Sequence, residues 1–216
     1  MQKNVEIELK LLLSKSDLEK LLASDLVKNV VRAGSEKQRN LVSSYYDTAD
    51  LALKKNGIAY RVRDKGDGTF EATIKTDKKS SSGLSERLEL NLPLTENAAV
   101  LEGFAELGLG YELTDLAPPN GVEKLFTVDV VRTTYLLDLD GAVVELAIDN
   151  GKIFAAGGED TIDEVELELV EGKVEAMLLF AEQIEKLVPV HREERSKFAR
   201  GLALIGIESD LPSHKA

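Results

Sequence analysis

Between Val5 and Lys10 the chain alternates strictly: Val5, Ile7 and Leu9 are apolar, while Glu6, Glu8 and Lys10 are charged. Successive strand side chains point to opposite faces, so both carboxylates and the ammonium share one face and the other is wholly apolar. The pattern recurs along the chain with the sign changing. Arg61 and Arg63 share a face, as do Glu71, Thr73 and Lys75, and Arg87, Glu89 and Asn91. Further on, Arg132 and Thr134, then Glu145 and Asp149, then Glu164, Glu166 and Glu168 repeat the arrangement. Arginines gather on the middle segments and carboxylates on the first and last. Arginine forks grip phosphate oxygens in bidentate fashion, and carboxylate pairs supply oxygen ligands to a hard divalent ion. A polyphosphate with a metal ion between it and the carboxylates satisfies both sets.

The elements that must position these groups are strands. Period-two alternation runs over residues 5–11, 41–47, 57–64, 69–76, 84–92, 127–139, 142–149 and 163–170, with turn signals at Lys65-Gly66-Asp67-Gly68, Asp140-Gly141 and Asn150-Gly151. Hairpins, and hence antiparallel pairing, are predicted. Helical patterning covers a segment begun by Ser16, with Glu19 three residues on, and then residues 95–107, 173–187 and 196–205. Residues 115–122, with Pro118-Pro119-Asn120-Gly121, read as a loop. Two architectures fit. An open sheet would cover its apolar face with helices and leave the charged face in water. A closed barrel would turn the charged face inward and the apolar face outward under the helices. The segregation of charge by sign favours the barrel, since solvated faces mix Lys, Glu, Thr and Ser freely.

Composition narrows the chemistry. Of 216 residues, 43% are hydrophobic and 31% charged, enough for a sizeable core and against a disordered chain. Length suits one domain over residues 1–206, with 207–216 as a tail. A net charge of −12 opposes a broad basic surface for nucleic acid, yet a basic pocket can sit inside an acidic protein. No apolar run approaches the ~18 residues of a membrane span, and nothing read here targets the chain out of the cytoplasm. The chain has no cysteine, so a metal would be held by oxygen or by His191 and His214, and both histidines read as solvent-exposed. Lys78-Lys79-Ser80-Ser81-Ser82-Gly83 lacks phosphate-loop spacing and reads as a hairpin tip. Tyr45 and Tyr46 read as packing, and Glu193, Glu194 and Arg195 as a solvated helix start.

The N-terminal Glu6-x-Glu8-x-Lys10 resembles the ExExK signature of the CYTH family, the triphosphate tunnel metalloenzymes. In the same order follow Tyr45-Tyr46-Asp47-Thr48, Tyr60-Arg61-Val62-Arg63, Thr73-Ile74-Lys75, Arg87-Leu88-Glu89, Arg132 before Tyr135, the run from Val144 to Gly151, Glu164 to Leu169, and Ser196 to Gly201. The likeness is greatest to the bacterial inorganic triphosphatase branch. It implies an α+β, mainly β fold: a closed eight-stranded antiparallel tunnel with a charged interior, flanked by helices. It also implies hydrolysis of a triphosphate with Mg2+ or Mn2+. Carried over by position, Glu6, Glu8 and Glu168 look like metal ligands, with Glu166 a further acidic candidate. Lys10, Arg61, Arg63, Lys75, Arg87 and Arg132 look like the phosphate clamp; Glu145 matches the family's acidic position on a later strand and Lys197 its lysine on the C-terminal helix, both on the substrate side. Arg200 matches a frequent position there, although its side chain could equally cap the helix or pair with a carboxylate. One of Glu8, Glu166 and Glu168 would orient or deprotonate the attacking water, and Lys10 belongs with the catalytic set. Tripolyphosphate is the expected substrate. ATP, as for a class IV adenylate cyclase, and thiamine triphosphate are the alternatives, as is a non-catalytic polyphosphate-binding module. The absence of tryptophan and an aromatic share of 5% disfavour a platform for an organic ring. Monomer and homodimer both remain open.

Overall fold

The computed structural model describes residues 5–76, 79–81, 84–117 and 121–208. Ten strands form one sheet: β1 (Val5–Leu12), β2 (Lys37–Asp47), β3 (Ile58–Asp64), β4 (Phe70–Thr76), β5 (Lys79–Ser81), β6 (Leu84–Leu94), β7 (Glu123–Leu139), β8 (Ala142–Ala155), β9 (Gly158–Gly172) and β10 (His191–Arg192). Their order is β10-β1-β9-β8-β7-β2-β3-β4-β6-β5, and β1 also pairs with β6. That added pairing closes eight strands, β1-β9-β8-β7-β2-β3-β4-β6, into an antiparallel barrel, with β5 and β10 as short outer additions. Closure removes the unpaired edges an open sheet would expose.

The alternating pattern decides which face goes where. Leu9, Leu11, Leu146, Leu167 and Leu169 turn outward and are buried under α1 (Lys15–Ala23), α2 (Asp25–Lys28) and α4 (Val174–Leu187), in a core that includes Leu21, Met177, Phe180 and Ile184. On the far side Tyr60, Val62, Ile74 and Leu90 pack with Phe104 and Leu113. The charged face is left inside, where Glu8, Lys10, Asp149 and Glu164 are buried. Among the described residues no helix is long and apolar enough to cross a membrane.

Several expected boundaries move. The first helix is capped by Ser14, whose hydroxyl accepts from the Asp17 amide at 3.1 Å, and not by Ser16. Asn150-Gly151 is not a turn. β8 runs on to Ala155, because a Cβ at Gly151 would fall 2.0 Å from the Asp129 carbonyl oxygen, so glycine there serves close strand approach. Residues 95–107 form no α-helix. Gly103 at φ 94° leaves the right-handed path, and the Tyr60 hydroxyl pins Val100 through both its carbonyl and its amide. The expected loop at 115–122 opens with a short 3-10 turn at Leu113–Asp115, and Pro118, Pro119 and Asn120 lie outside the described residues. Short helices α2 and α3 (Ala52–Lys55) were not legible from periodicity. Lys78, Ser82, Gly83 and His214 also lie outside the described residues, while His191 is exposed.

Candidate active site in the barrel

The strand registers place the charges. Glu6 faces Arg87 across β1 and β6, Glu8 faces Glu168 and Lys10 faces Glu166 across β1 and β9, and Arg132 faces Asp149 across β7 and β8. They surround a cavity of about 180 Å³, lined by Glu6, Glu8, Lys10, Arg61, Arg63, Lys75, Arg87, Arg132, Glu166, Glu168 and Lys197, with Tyr45 and Phe198 beside them. Helix α5 (Lys197–Leu204) brings in the last cation. Ser196 caps it, accepting from the Ala199 amide at 3.1 Å, and Phe198 stacks against Tyr45, which in turn stacks on Phe126.

Most of the charges are already paired. Arg87 binds Glu6 at 2.6 Å and Glu8 at 2.8 Å, Lys75 binds Glu6 and Glu89 at 2.6 Å each, and Lys10 binds Glu8 at 2.6 Å. Burial alone would push both Glu6 and Glu8 up. The attraction of Lys75 and Arg87 for Glu6, and of Lys10 and Arg87 for Glu8, outweighs it and holds both below the usual carboxylate range. Glu166 is held well below that range, its burial cost overcome by Lys197, Arg132 and Lys10.

Two features are not balanced. Arg63 donates one hydrogen bond, to the Ser43 hydroxyl at 2.8 Å, and neither it nor Arg61 forms an ion pair among the described residues. Burial and the neighbouring Arg61 and Arg132 pull Arg63 down to about 9, and the Arg61 Nε is buried without an acceptor. The second is Glu168. Burial, then the carboxylates of Glu6 and Glu89, push it up to about 7 against the pull of Lys75. The site is thus short of an anion at Arg63 and short of a cation at Glu168, whereas burial of the Arg61 guanidinium is outweighed by Tyr45, Glu89 and Glu6, which hold it above its usual range.

Asp149, Glu164 and Glu166 bring carboxylate oxygens within 4.8 Å of one another, a spacing that can hold a metal ion. Here the Lys197 ammonium sits among them at 2.8, 2.6 and 2.9 Å, so those three charges have their counter-ion. Glu166 lines the same cavity as Glu6, Glu8 and Glu168, and its carboxylate also binds Lys197 and Arg132. The carboxylates expected as metal ligands, Glu6, Glu8 and Glu168, do not bring three oxygens to that 4.8 Å spacing among the described residues; Glu6 and Glu8 carry ion pairs to Lys75, Arg87 and Lys10, and Glu168 carries none there.

Two residues expected at the centre lie elsewhere. Glu145 lines a neighbouring chamber, not the central cavity, and burial raises its pKa despite Arg132. Arg200 is absent from the cavity wall; its guanidinium is bound to Asp160 at 2.8 Å, to Glu164 and to the Thr161 carbonyl, anchoring α5 to β9. Asp149, Glu164 and Glu89 were not singled out from the sequence as site residues, although each lies on an inward face in the same alternation. Nothing in the spacing distinguished them from their neighbours.

The sequence profile of the CYTH domain matches residues 4–202. The inorganic triphosphatase of Haemophilus influenzae is 32% identical over 201 residues, covering 92% of this chain and 54% of that protein. The chain therefore spans about half the length of that curated relative. A Hippeastrum protein, described as a proposed adenylyl cyclase that reveals a dominant triphosphatase activity, superposes with a TM-score of 0.62 at 22% identity, covering 97% of this chain and 100% of its own. A Bacillus halodurans protein described as a proposed adenylate cyclase gives a TM-score of 0.57 at 21% identity, covering 92% and 98%. These two likenesses establish the shared fold.

Proposed function

The chain belongs to the CYTH domain family, and from that premise we propose that it hydrolyses a triphosphate, inorganic tripolyphosphate before any nucleotide, inside its barrel. The observation that carries this reading is Arg63, an inward guanidinium with no ion pair among the described residues, beside Arg61, whose Nε is buried without an acceptor. The 32% identity to the Haemophilus inorganic triphosphatase supports the choice of substrate class.

In the reaction, water adds to a terminal phosphorus, the anhydride P–O bond breaks, and pyrophosphate leaves with that oxygen. Arg61 and Arg63 take the phosphate oxygens that lack protein partners, while Lys10, Lys75, Arg87 and Arg132 complete the basic wall. Their positions are fixed by the strands, so they stabilise charge on the transferring phosphoryl and leaving group without reorganising. Glu6, Glu8 and Glu168 would hold Mg2+ or Mn2+, which supplies positive charge to the phosphate oxygens and activates water. Ionised Glu168 then has the counter-ion its surroundings lack. The closed wall limits bulk water around the reacting groups.

The test is a phosphate-release panel on the purified chain with tripolyphosphate, pyrophosphate, ATP and thiamine triphosphate, each with magnesium, manganese or a chelator. Metal-dependent release, fastest from tripolyphosphate, is expected. Formation of cyclic AMP from ATP, or faster release from thiamine triphosphate, would replace the inorganic substrate by an organic one.

A further inference from the structure

A second chamber of about 280 Å³ adjoins the central cavity, and Arg63, Glu71 and Arg132 line both. Its other walls are Lys37, Arg39, Leu41, Lys65, Thr134 and Glu145. Two of its cations are spent: Lys65 lies 2.8 Å from Glu71, and Arg132 is clamped on Asp149 and Glu166. Among the described residues Arg39 has only Asp67, at 3.7 Å, with both side chains nearly half exposed, a pairing of little worth. Lys37 forms no ion pair among the described residues. Three cations, Lys37, Arg39 and Arg63, therefore face one carboxylate, Glu145.

The register sharpens the imbalance. Arg39 on β2 stands directly opposite Arg132 on β7, and like charges in facing positions repel. Arg63, at the seam, has a single, neutral hydrogen-bond partner among the described residues. An aromatic platform for a base or thiazole ring is missing from this lining, whose uncharged members are Leu41 and Thr134.

We infer that this chamber is a second site for a phosphate-type oxyanion, held by Lys37 and Arg39 and adjoining the triphosphate cradle at Arg63, which lines both. Its ligand class rests on the reading of the central cavity given above. The same chemistry has two sources: a free phosphate product, or the outer unit of a linear polyphosphate longer than three that crosses the seam at Arg63.

Calorimetric titration of the full chain with pyrophosphate, tripolyphosphate and tetrapolyphosphate tests it, using wild type and the Lys37→Ala/Arg39→Ala double variant. Both residues are exposed, so the variant should fold. Wild type should bind two pyrophosphates, and the variant should lose the second by about tenfold or more while keeping its tripolyphosphate affinity. If tetrapolyphosphate binds wild type about tenfold tighter than tripolyphosphate and the variant erases that gain, the source is the chain's outer unit. If the two bind alike while two pyrophosphates remain, the source is a separate anion. One pyrophosphate per chain, together with equal binding of the two longer anions, would overturn the inference. Failure of wild type to bind tripolyphosphate at all would instead sink the central reading, and the pyrophosphate stoichiometry would still judge the chamber.

Discussion

A half-buried cation with no ion pair among the described residues costs stability, so its presence at Arg63 asks what it is for. With its guanidinium held down to about 9, the penalty is fully present at pH 7 and is relieved only as pH rises past that value. Arg63→Met should therefore leave the ligand-free protein as stable as wild type or up to about 2 kcal/mol more stable in chemical denaturation at pH 7. The same variant should lower kcat/KM for tripolyphosphate roughly 10- to 100-fold, as expected for a lost charge-assisted contact. A fall in stability would mark Arg63 as a structural residue. Glu168 gives the converse case. Raised from 4.5 to about 7, it keeps a proton in the folded chain that the unfolded chain releases, so stability falls as pH rises through that window. In chelator, Glu168→Gln should match wild type near pH 4 and exceed it by ~1–3 kcal/mol above pH 7, read from urea melts. Equal stability at both pH values would contradict the assignment. The types and faces of these residues were legible in the alternation. Their state of balance was not, because whether Arg63 finds a carboxylate and Glu166 finds Lys197 depends on which strands and which helix close around them.

At the scale of elements, the strands were legible because polar and apolar residues alternate over most of their length. Their ends were harder. β2 begins at Lys37, ahead of the apolar residues that signal a strand, since Lys37, Gln38, Arg39 and Asn40 carry no apolar face. At Asn150-Gly151 a local turn signal lost to tertiary pairing, and that competition can be measured. Gly151→Ala would drive a Cβ into the Asp129 carbonyl, and should lower stability by ~1–3 kcal/mol through separation of β7 and β8. A neutral outcome in thermal melts would show that this close approach is not required. Gly201 on α5 is a parallel case: its Cβ would meet the Phe126 ring at 2.3 Å, which is how α5 lies close enough for Lys197 to reach Glu166. Gly201→Ala should displace that ammonium and reduce turnover even where the fold survives, as judged by an unchanged far-ultraviolet spectrum and a lowered kcat. The helix pattern at 196–205 gave α5 but not its role, because contact with β9 through Arg200 is a tertiary fact.

For the molecule as a whole, closure is what turns an ordinary amphipathic sheet into a site. An open sheet would have left Glu6, Arg61 and Lys75 in water, where their pairings would be screened and of little worth. The β1–β6 pairing instead gathers them round one cavity inside a protein whose net charge is −12. Composition could not choose between these architectures; the eight alternating segments carried the strand count, segregation of charge by sign pointed to the closed form, and the family resemblance implied the same tunnel. The account stands or falls on whether the enclosed acids and bases act together on one metal–triphosphate complex. Phosphate release from tripolyphosphate by wild type and by Glu6→Gln, with magnesium and then with excess chelator, measures that directly. Release that stops in chelator, returns with added metal and falls at least ~100-fold in a folded Glu6→Gln protein is the predicted result. Release that survives the chelator, or a variant that turns over at the wild-type rate, would contradict it.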